Sequence, residues 1–434
     1  MTAKLKVFSM FDGVGGFIIG LNNADSSYYR TLYSNQFEPT RKSQDAFEVG
    51  KYRFPDMEHI GVDVAKITND KFIEMKENGV NMIVGGFPCQ DYSVAHTGAK
   101  GIQGKKGVLF WQIIRATQNI KPKYLILENV DRLLKSPTKQ RGRDFAIMLK
   151  AFNDLGYSVE WRVINAAQYG AAQRRRRVFF FVFRNDTSWA SRINHQSVDE
   201  TDFEELFGNP LRDYVFKRGL FARQFPVKQK PVKNREASYG LNKDIVYISD
   251  NFTGKVFNTG VMANGMYYTV ETEPTGNEKP TTLGEIIQPE NEIDEKYFIT
   301  DKAKLDKFKY LRGPKKIKRK SSDGHEYIYS EGGMQPYDSL DLPSRTMLTS
   351  EGSVNRSTHL LKINGRYRLL TPVEAERLQA FPDDWTKYKL TENGDVKEVS
   401  DRMRMFFMGN ALVTDIVKRI GIELKRIDSE NFNQ

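Results

Sequence analysis

The sequence predicts an α/β protein: a doubly wound, mostly parallel sheet with a second, smaller region of mixed or mainly β character. Three observations carry this. Short apolar strands recur at intervals that leave room for a helix between them; the first strand runs straight into a glycine turn; and the alternation stops near residue 185.

The first strand is Leu5 to Phe11, followed at once by Asp12-Gly-Val-Gly-Gly16 and by Phe17-Ile-Ile-Gly-Leu21, which can open a helix. Strand, glycine turn and helix form the first unit of a nucleotide-binding sheet, in which glycines let a ligand approach the helix N-terminus. The spacing is not G-x-G-x-x-G, so a dinucleotide cofactor is not indicated and a nicotinamide oxidoreductase is disfavoured. Further strands are expected at Thr31–Ser34, Ile60–Val64, Asn81–Gly85, Tyr124–Val130, Ser158–Ala166 and Val178–Phe183, with helices such as 108–120 and 144–155 between them. Asp12, Gln36, Asp63, Cys89 and Glu128 then fall at the carboxyl ends of strands, the edge where open α/β sheets bind ligands.

From about Asn185 to Leu342 the pattern changes. Short aromatic runs such as Ile245–Ile248 and Met266–Val270 suggest β structure, and Gly313-Pro-Lys-Lys-Ile-Lys-Arg-Lys320 reads as a basic loop, either phosphate-contacting or simply solvated. Leu342 to Ser350 is strand-like again. Thr371, Pro372 and Glu374 predict a helix with an N-cap, a proline at its first position and a capping box. After a connecting segment at 366–403, residues 404–434 carry a Gly409-Asn410 turn and a last helix from Thr414 to Ile427.

Composition narrows the function. The chain has 434 residues, 39% hydrophobic and 28% charged, enough for a sizeable core. No apolar run approaches the ~18 residues of a membrane span, and the N-terminus lacks the apolar core of a signal peptide, so a cytoplasmic protein is expected. A single cysteine excludes an intrachain disulfide framework, and five histidines without paired spacing give no metal site. The formal charge of +11 favours a polyanionic partner, nucleic acid first.

That cysteine, Cys89, follows the strand end Met82-Ile-Val84 and the turn Gly85-Gly86. A lone cysteine is ordinarily a small buried hydrophobe, but Pro88, Gln90 and Asp91 place this one on a polar loop, where an unpaired thiol is chemically vulnerable and its presence suggests use. Glu128 directly follows Leu125-Ile-Leu127. At a buried strand end a carboxyl tends to be protonated near neutrality, although a glutamate satisfied by loop amides is the plainer reading. Four arginines, Arg174 to Arg177, precede the strand Val178–Phe183. Alternation into that strand puts Gln173, Arg175 and Arg177 on one side, as convergent donors for a polar ring or a phosphate.

In order, the segments Phe11–Gly16, Gly86-Phe-Pro-Cys-Gln90, Glu128-Asn-Val130, Gln173–Arg177 as Q-x-R-x-R, Leu370–Pro382 and Gly409-Asn-Ala411 resemble the motif blocks of the DNA (cytosine-5) methyltransferases. The resemblance covers about 5–184 and 343–427. It implies a methyltransferase-type catalytic domain at 1–184, a target recognition domain at 185–365 and a C-terminal helix completing the catalytic domain. It also implies S-adenosylmethionine as methyl donor and a flipped cytosine in a specific short sequence of double-stranded DNA as substrate. The chain would be a monomer of a prokaryotic modification system, with a cognate restriction endonuclease as possible partner.

By the same resemblance Cys89 is the nucleophile, Glu128 meets the base at N3, and Arg175 and Arg177 hold the base carbonyl and the Cys89 loop with Gln173 in support. Phe11, Asp12, Gly13, Gly15 and Gly16 line the donor pocket. Asp63, with Val64 beside it, meets the adenine amine and Leu109 the adenine face. Gly86, Pro88, Asn410 and Ala411 contact the methionine half. Gln36 stands where the family usually places an acidic residue for the ribose hydroxyls. A tRNA cytosine-5 methyltransferase shares these blocks, and a catalytically silent DNA-binding regulator is the alternative from another class.

Overall fold

The computed structural model describes residues 4–87, 109–194, 210–321 and 324–430. Its centre is a ten-stranded sheet in the order β3-β2-β1-β4-β5-β7-β6-β9-β10-β8. The strands are β1 (Leu5–Met10), β2 (Tyr29–Asn35), β3 (Glu58–Ile60), β4 (Met82–Gly86), β5 (Tyr124–Val130), β6 (Tyr157–Asn165), β7 (Arg176–Arg184), β8 (Glu236–Gly240), β9 (Thr259–Ala263) and β10 (Met266–Val270). β3, β2, β1, β4 and β5 run parallel; from β7 onward every pairing is antiparallel. The α/β sheet expected from the sequence is present as a mixed sheet, parallel in one half and antiparallel in the other.

The helices α1 (Gly16–Asp25), α2 (Asp45–Arg53), α3 (Asn69–Glu77), α4 (Leu109–Ile120) and α5 (Arg143–Asp154) connect or flank the parallel half. β4 and β5 are buried almost throughout, as expected of strands covered on both faces. The chain winds one way from β1 to β2 and β3 and the other way to β4 and β5. The carboxyl ends of β1 and β4 therefore flank the switch point where a crevice opens.

The helix Thr414–Glu430 packs on α1, and contact is closest at Gly20, where an added Cβ would lie 2.5 Å from Val417. Tyr29 donates to the Gly421 carbonyl at 2.6 Å and Tyr28 to Asp428 at 2.7 Å, so the C-terminal helix is tied to β2 as well.

Several local expectations resolve differently. The βα alternation stops near residue 185, but the sheet continues, because β8, β9 and β10 extend it through pairing of β9 with β6. Ile245–Ile248 lies in a helix, Ile245–Asn251, because the Asp244 side chain accepts from Tyr247 N and caps it. The basic stretch expected as a loop is a strand, β11 (Lys315–Lys320), paired antiparallel with β12 (Glu326–Glu331) as a separate two-stranded ribbon. Leu342–Ser350 forms no strand; Ser344 makes one bridge to Gln173, and the Thr346 hydroxyl donates to the Arg174 carbonyl. β3 ends at Ile60, and Asp63 caps a 3-10 turn at Val64–Lys66 instead of closing a strand. The helix Pro372–Leu378 has the expected cap, proline and capping box.

Among the described residues no helix is long and apolar enough to cross a membrane, and no group of three His, Cys, Asp or Glu could hold a metal ion.

Candidate active site

An open cavity of about 1360 Å³ lies at the carboxyl edge of the parallel half. A drug-sized ligand needs roughly 300–1,000 Å³, so this space can take two reactants side by side. Its walls come from successive strand ends: Phe11, Asp12 and Gly13 after β1, Gln36 after β2, Asp63 and Val64 after β3, Gly86 at the end of β4, and Glu128 within β5. Gly16, Leu109, Arg177, Asn410 and Ala411 complete it, together with Glu38, Trp111, Phe406 and Phe407, which the sequence did not single out. Pro88 and Cys89 lie outside the described residues.

The glycine turn is built tightly. Phe11 has φ +54° and Gly13 φ +59°; for a bulky aromatic this left-handed conformation is uncommon and marks a functional turn. The turn is pinned from β2, where Gln36 Oε1 accepts from Gly13 N at 2.8 Å and the Asn35 carbonyl from Asp12 N at 3.0 Å. Gly15 belongs to the turn but not to the cavity wall, since it packs on Phe54. Burial pushes the Asp12 carboxyl up to about 7 against the opposing hydrogen bond from Ser9.

Gln36 has little left for a ligand. Its Oε1 serves Gly13, and its Nε2 donates to Glu38 at 3.3 Å. Glu38, two residues further on, brings a carboxyl to the same wall, and burial raises it above the usual carboxylate range against the pull of Arg41. Counting two residues beyond the expected acidic position was the available sequence signal.

Glu128 and Arg177 form the polar centre. Arg177 Nε lies 2.8 Å from Glu128 Oε1, with the two side chains 18% and 13% exposed, enough to be reached from the cavity. Burial raises the Glu128 carboxyl, while the Arg177 and Arg175 charges pull it back down. Gly86 makes room for it, since an added Cβ there would stand 3.1 Å from Glu128 Oε2. Asn129, which had no role in the motif reading, donates from Nδ2 to the Phe87 carbonyl at 2.8 Å. It thereby fixes the backbone two residues before Cys89.

The predicted alternation of Q-x-R-x-R is present, with Gln173 and Arg175 buried, Arg177 half-buried and Arg174 and Arg176 exposed. The three inward donors do not converge on the cavity, however. Arg175 gives its two terminal nitrogens to the Met347 and Gly409 carbonyls at 3.1 and 2.9 Å. Gln173 donates to the Leu378 carbonyl at 3.3 Å and accepts from Met347 N at 2.9 Å. Both bind protein backbone behind the cavity, because the segment at 344–347 covers them; only Arg177 lines it. Gly409 and Asn410 end the helix Asp401–Asn410 rather than opening the next one, and Arg175 thus holds the chain that presents Asn410.

A family model described as C-5 cytosine-specific DNA methylase matches residues 5–426. Type II methyltransferase M.Sau3AI of Staphylococcus aureus is 52% identical over 436 residues, covering 99% of this chain and 98% of its own length. Type II methyltransferase M.NgoBI of Neisseria gonorrhoeae is 25% identical, over 88% of this chain and 83% of its own. Among solved structures, a Spodoptera frugiperda DNMT2 mutant shares the fold at TM-score 0.57 and 12% identity, covering 98% and 99% of the two chains. With motif order, sheet-edge cavity and a match across nearly its full length in agreement, the chain belongs to the C-5 cytosine-specific DNA methylases.

Proposed function

We propose that this enzyme methylates C5 of a cytosine flipped out of a specific short duplex sequence, through a transient bond from Cys89 to C6, as the modification arm of a type II restriction-modification system. The observation that carries the reading is the Glu128–Arg177 pair: a carboxyl raised by burial, facing the same cavity as the β1 glycine turn.

The cavity's residues suit S-adenosylmethionine. Val64, Leu109 and Trp111 offer apolar walls to a purine, Asp63 an acceptor for its amine, Glu38 a carboxyl for ribose hydroxyls, and Gly86, Asn410 and Ala411 a polar end for the amino acid. When bound, this cofactor supplies an electrophilic methyl group on a sulfonium sulfur.

The chain's own residues make the base reactive. The Cys89 thiolate adds to C6, which shifts electron density to C5 and divides one difficult step into easier ones. Glu128, whose carboxyl is raised by burial, donates to N3 as negative charge develops there and accepts from the exocyclic amine, a pattern that thymine cannot match. Arg177 steadies Glu128 and holds the base carbonyl. Arg175 and Gln173 act one layer behind, by fixing the segments that carry Met347 and Gly409. Once C5 carries the methyl group, its proton passes to water, the Cys89–C6 bond breaks and the thiolate returns. Extruding the base costs a few kcal/mol, which contacts to the duplex must supply.

The test is covalent trapping. A duplex with 5-fluorocytosine at the target position, incubated with the enzyme and methyl donor, is expected to give a denaturation-resistant adduct, because fluorine cannot leave as the proton does. The Cys89→Ala variant should give none. An adduct that survives Cys89→Ala, or no adduct from wild type that methylates ordinary duplex, would refute the thiol mechanism.

A further inference from the structure

The β11–β12 ribbon stands apart from the ten-stranded sheet and has two unlike faces. In its register Lys315, Ile317 and Arg319 lie opposite Glu331, Tyr329 and Tyr327 on one face; Lys316, Lys318 and Lys320 lie opposite Ser330, Ile328 and Glu326 on the other. The first face is anchored. Lys315 pairs with Glu331 at 3.2 Å, Arg356 reaches the same carboxylate at 3.2 Å, and Arg319 stacks over the Tyr329 ring at 3.8 Å.

The second face is open. Lys316, Lys318, Ile328 and Ser330 are all exposed, Ile328 at 63%. Lys320 pairs with Glu326 near the ribbon end, but Lys316 and Lys318 have no ion-pair partner among the described residues. Alternate strand positions are about 7 Å apart, so these ammonium groups form a row along the strand.

A smaller cleft lies at the base of the ribbon and shares no lining residue with the active-site cavity. It has a volume of about 250 Å³ and is lined by Arg312 and Met334, which flank the two strands, and by Arg174, three residues before the Arg177 that pairs with Glu128.

We propose that the Lys316–Lys318 face of the β11–β12 ribbon is a contact surface for the phosphate backbone of the duplex that carries the target cytosine. The proposal rests on duplex DNA being the substrate and locates one of its contacts on this chain. A two-stranded ribbon is narrow enough to follow a DNA groove, and paired lysines on an open face match a polymer bearing one charge per ~1.7 Å of axis. Ile328, opposite Lys318, is apolar amid this charge, which suits contact with sugar or a thymine methyl better than a face that meets only water. The competing role for such lysines is to keep a lone ribbon from pairing with other chains.

Salt dependence separates the two roles. Binding of a labelled duplex containing the methylated site would be measured for the full chain at a series of salt concentrations, alongside kcat. Each phosphate contact contributes about 0.9 to the slope of log affinity against log salt. The double variant Lys316→Ala/Lys318→Ala should bind at least 10-fold more weakly near 150 mM salt, with a slope shallower by about 2. Its kcat at saturating DNA should stay within about twofold, since neither lysine touches the reacting base. Lys316→Arg/Lys318→Arg should restore the slope. A slope unchanged in the alanine variant overturns the assignment, as does a changed methylation sequence at unchanged slope. If wild type neither binds duplex in a salt-dependent way nor methylates it, the substrate reading itself has failed, a result distinct from a failure of the ribbon alone.

Discussion

The parallel half of the sheet and the region between residues 271 and 365 place their charged residues for opposite purposes. In the parallel half, cohesion comes from apolar strands and helices, with Ile83, Leu125, Leu127, Phe110 and Phe145 fully buried or nearly so. Its ionisable groups at strand ends are held in unfavourable surroundings: Asp12 and Glu128 are both pushed toward the protonated form by burial. The second region has a small apolar cluster of its own, around Ile299, Phe308 and Leu360, and lends Leu283, Met347 and Leu361 to a cluster shared with the C-terminal segment.

There, buried ion pairs hold the chain. Arg312 donates to Asp338 at 2.7 Å and to the Thr358 and Gln335 carbonyls at 2.8 and 3.1 Å, and Arg345 reaches Asp338 at 2.6 Å. Burial alone would raise the Asp338 carboxyl, but the Arg345 hydrogen bonds and the surrounding positive charge hold it well below the usual carboxylate range. Where hydrophobic burial dominates, a few polar groups can be left poised for chemistry; where the local apolar cluster is small, buried arginine–carboxylate pairs supplement it.

Substitutions can break or sharpen this contrast. The largest effect is expected at Cys89, where Cys89→Ala should lower kcat by at least ~10⁴-fold while duplex binding persists, as for other nucleophiles. Single-turnover methylation together with a binding titration checks both halves. Glu128→Gln keeps the shape and removes the titrating proton. A fall in kcat of about 10²–10⁴-fold with stability nearly unchanged is expected, and wild-type turnover in this variant would end the role given to N3 protonation.

Arg312→Met should do the reverse. Losing the Asp338 pair and two carbonyl contacts costs about 2–4 kcal/mol in urea unfolding, while the trapping reaction, whose cavity Arg312 does not line, still proceeds. A loss of trapping without a loss of stability would contradict the division drawn here.

A pH-dependent effect is expected at Asp12. Its carboxyl is raised in the folded state to about 7, so between about pH 4 and 7 the native chain binds a proton that the unfolded chain has released. The stabilisation is complete below about pH 4 and is lost as pH climbs through about 7. Asp12→Asn should flatten this dependence, leaving the variant more stable than wild type at pH 8 by up to a few kcal/mol and equal to it at pH 4. Thermal unfolding across that range reads the difference.

Much of the parallel half was legible in the sequence because each strand there is a short apolar run closed by a turn residue. β5 occupies Tyr124–Val130 as read, and β1, β4 and α4 fall within a residue or so of expectation. The Ile245–Asn251 helix and the β11–β12 ribbon were not legible. A four-residue apolar run fits helix or strand equally, and lysine-rich strands carry no alternation of hydrophobicity to betray them.

The sequence by itself determined the family: the order of the motifs, the solitary cysteine, the glutamate behind an apolar strand and the alternation of Q-x-R-x-R can all be read along the chain. Only the tertiary structure decided that Arg175 binds the carbonyls of residues 347 and 409, that Gln36 is occupied by Gly13, and that Glu38 shares the cavity wall. A side chain's donors go to whichever acceptors the fold brings within about 3 Å. For Arg175 those acceptors lie 172 and 234 residues away along the chain, beyond the reach of any local pattern.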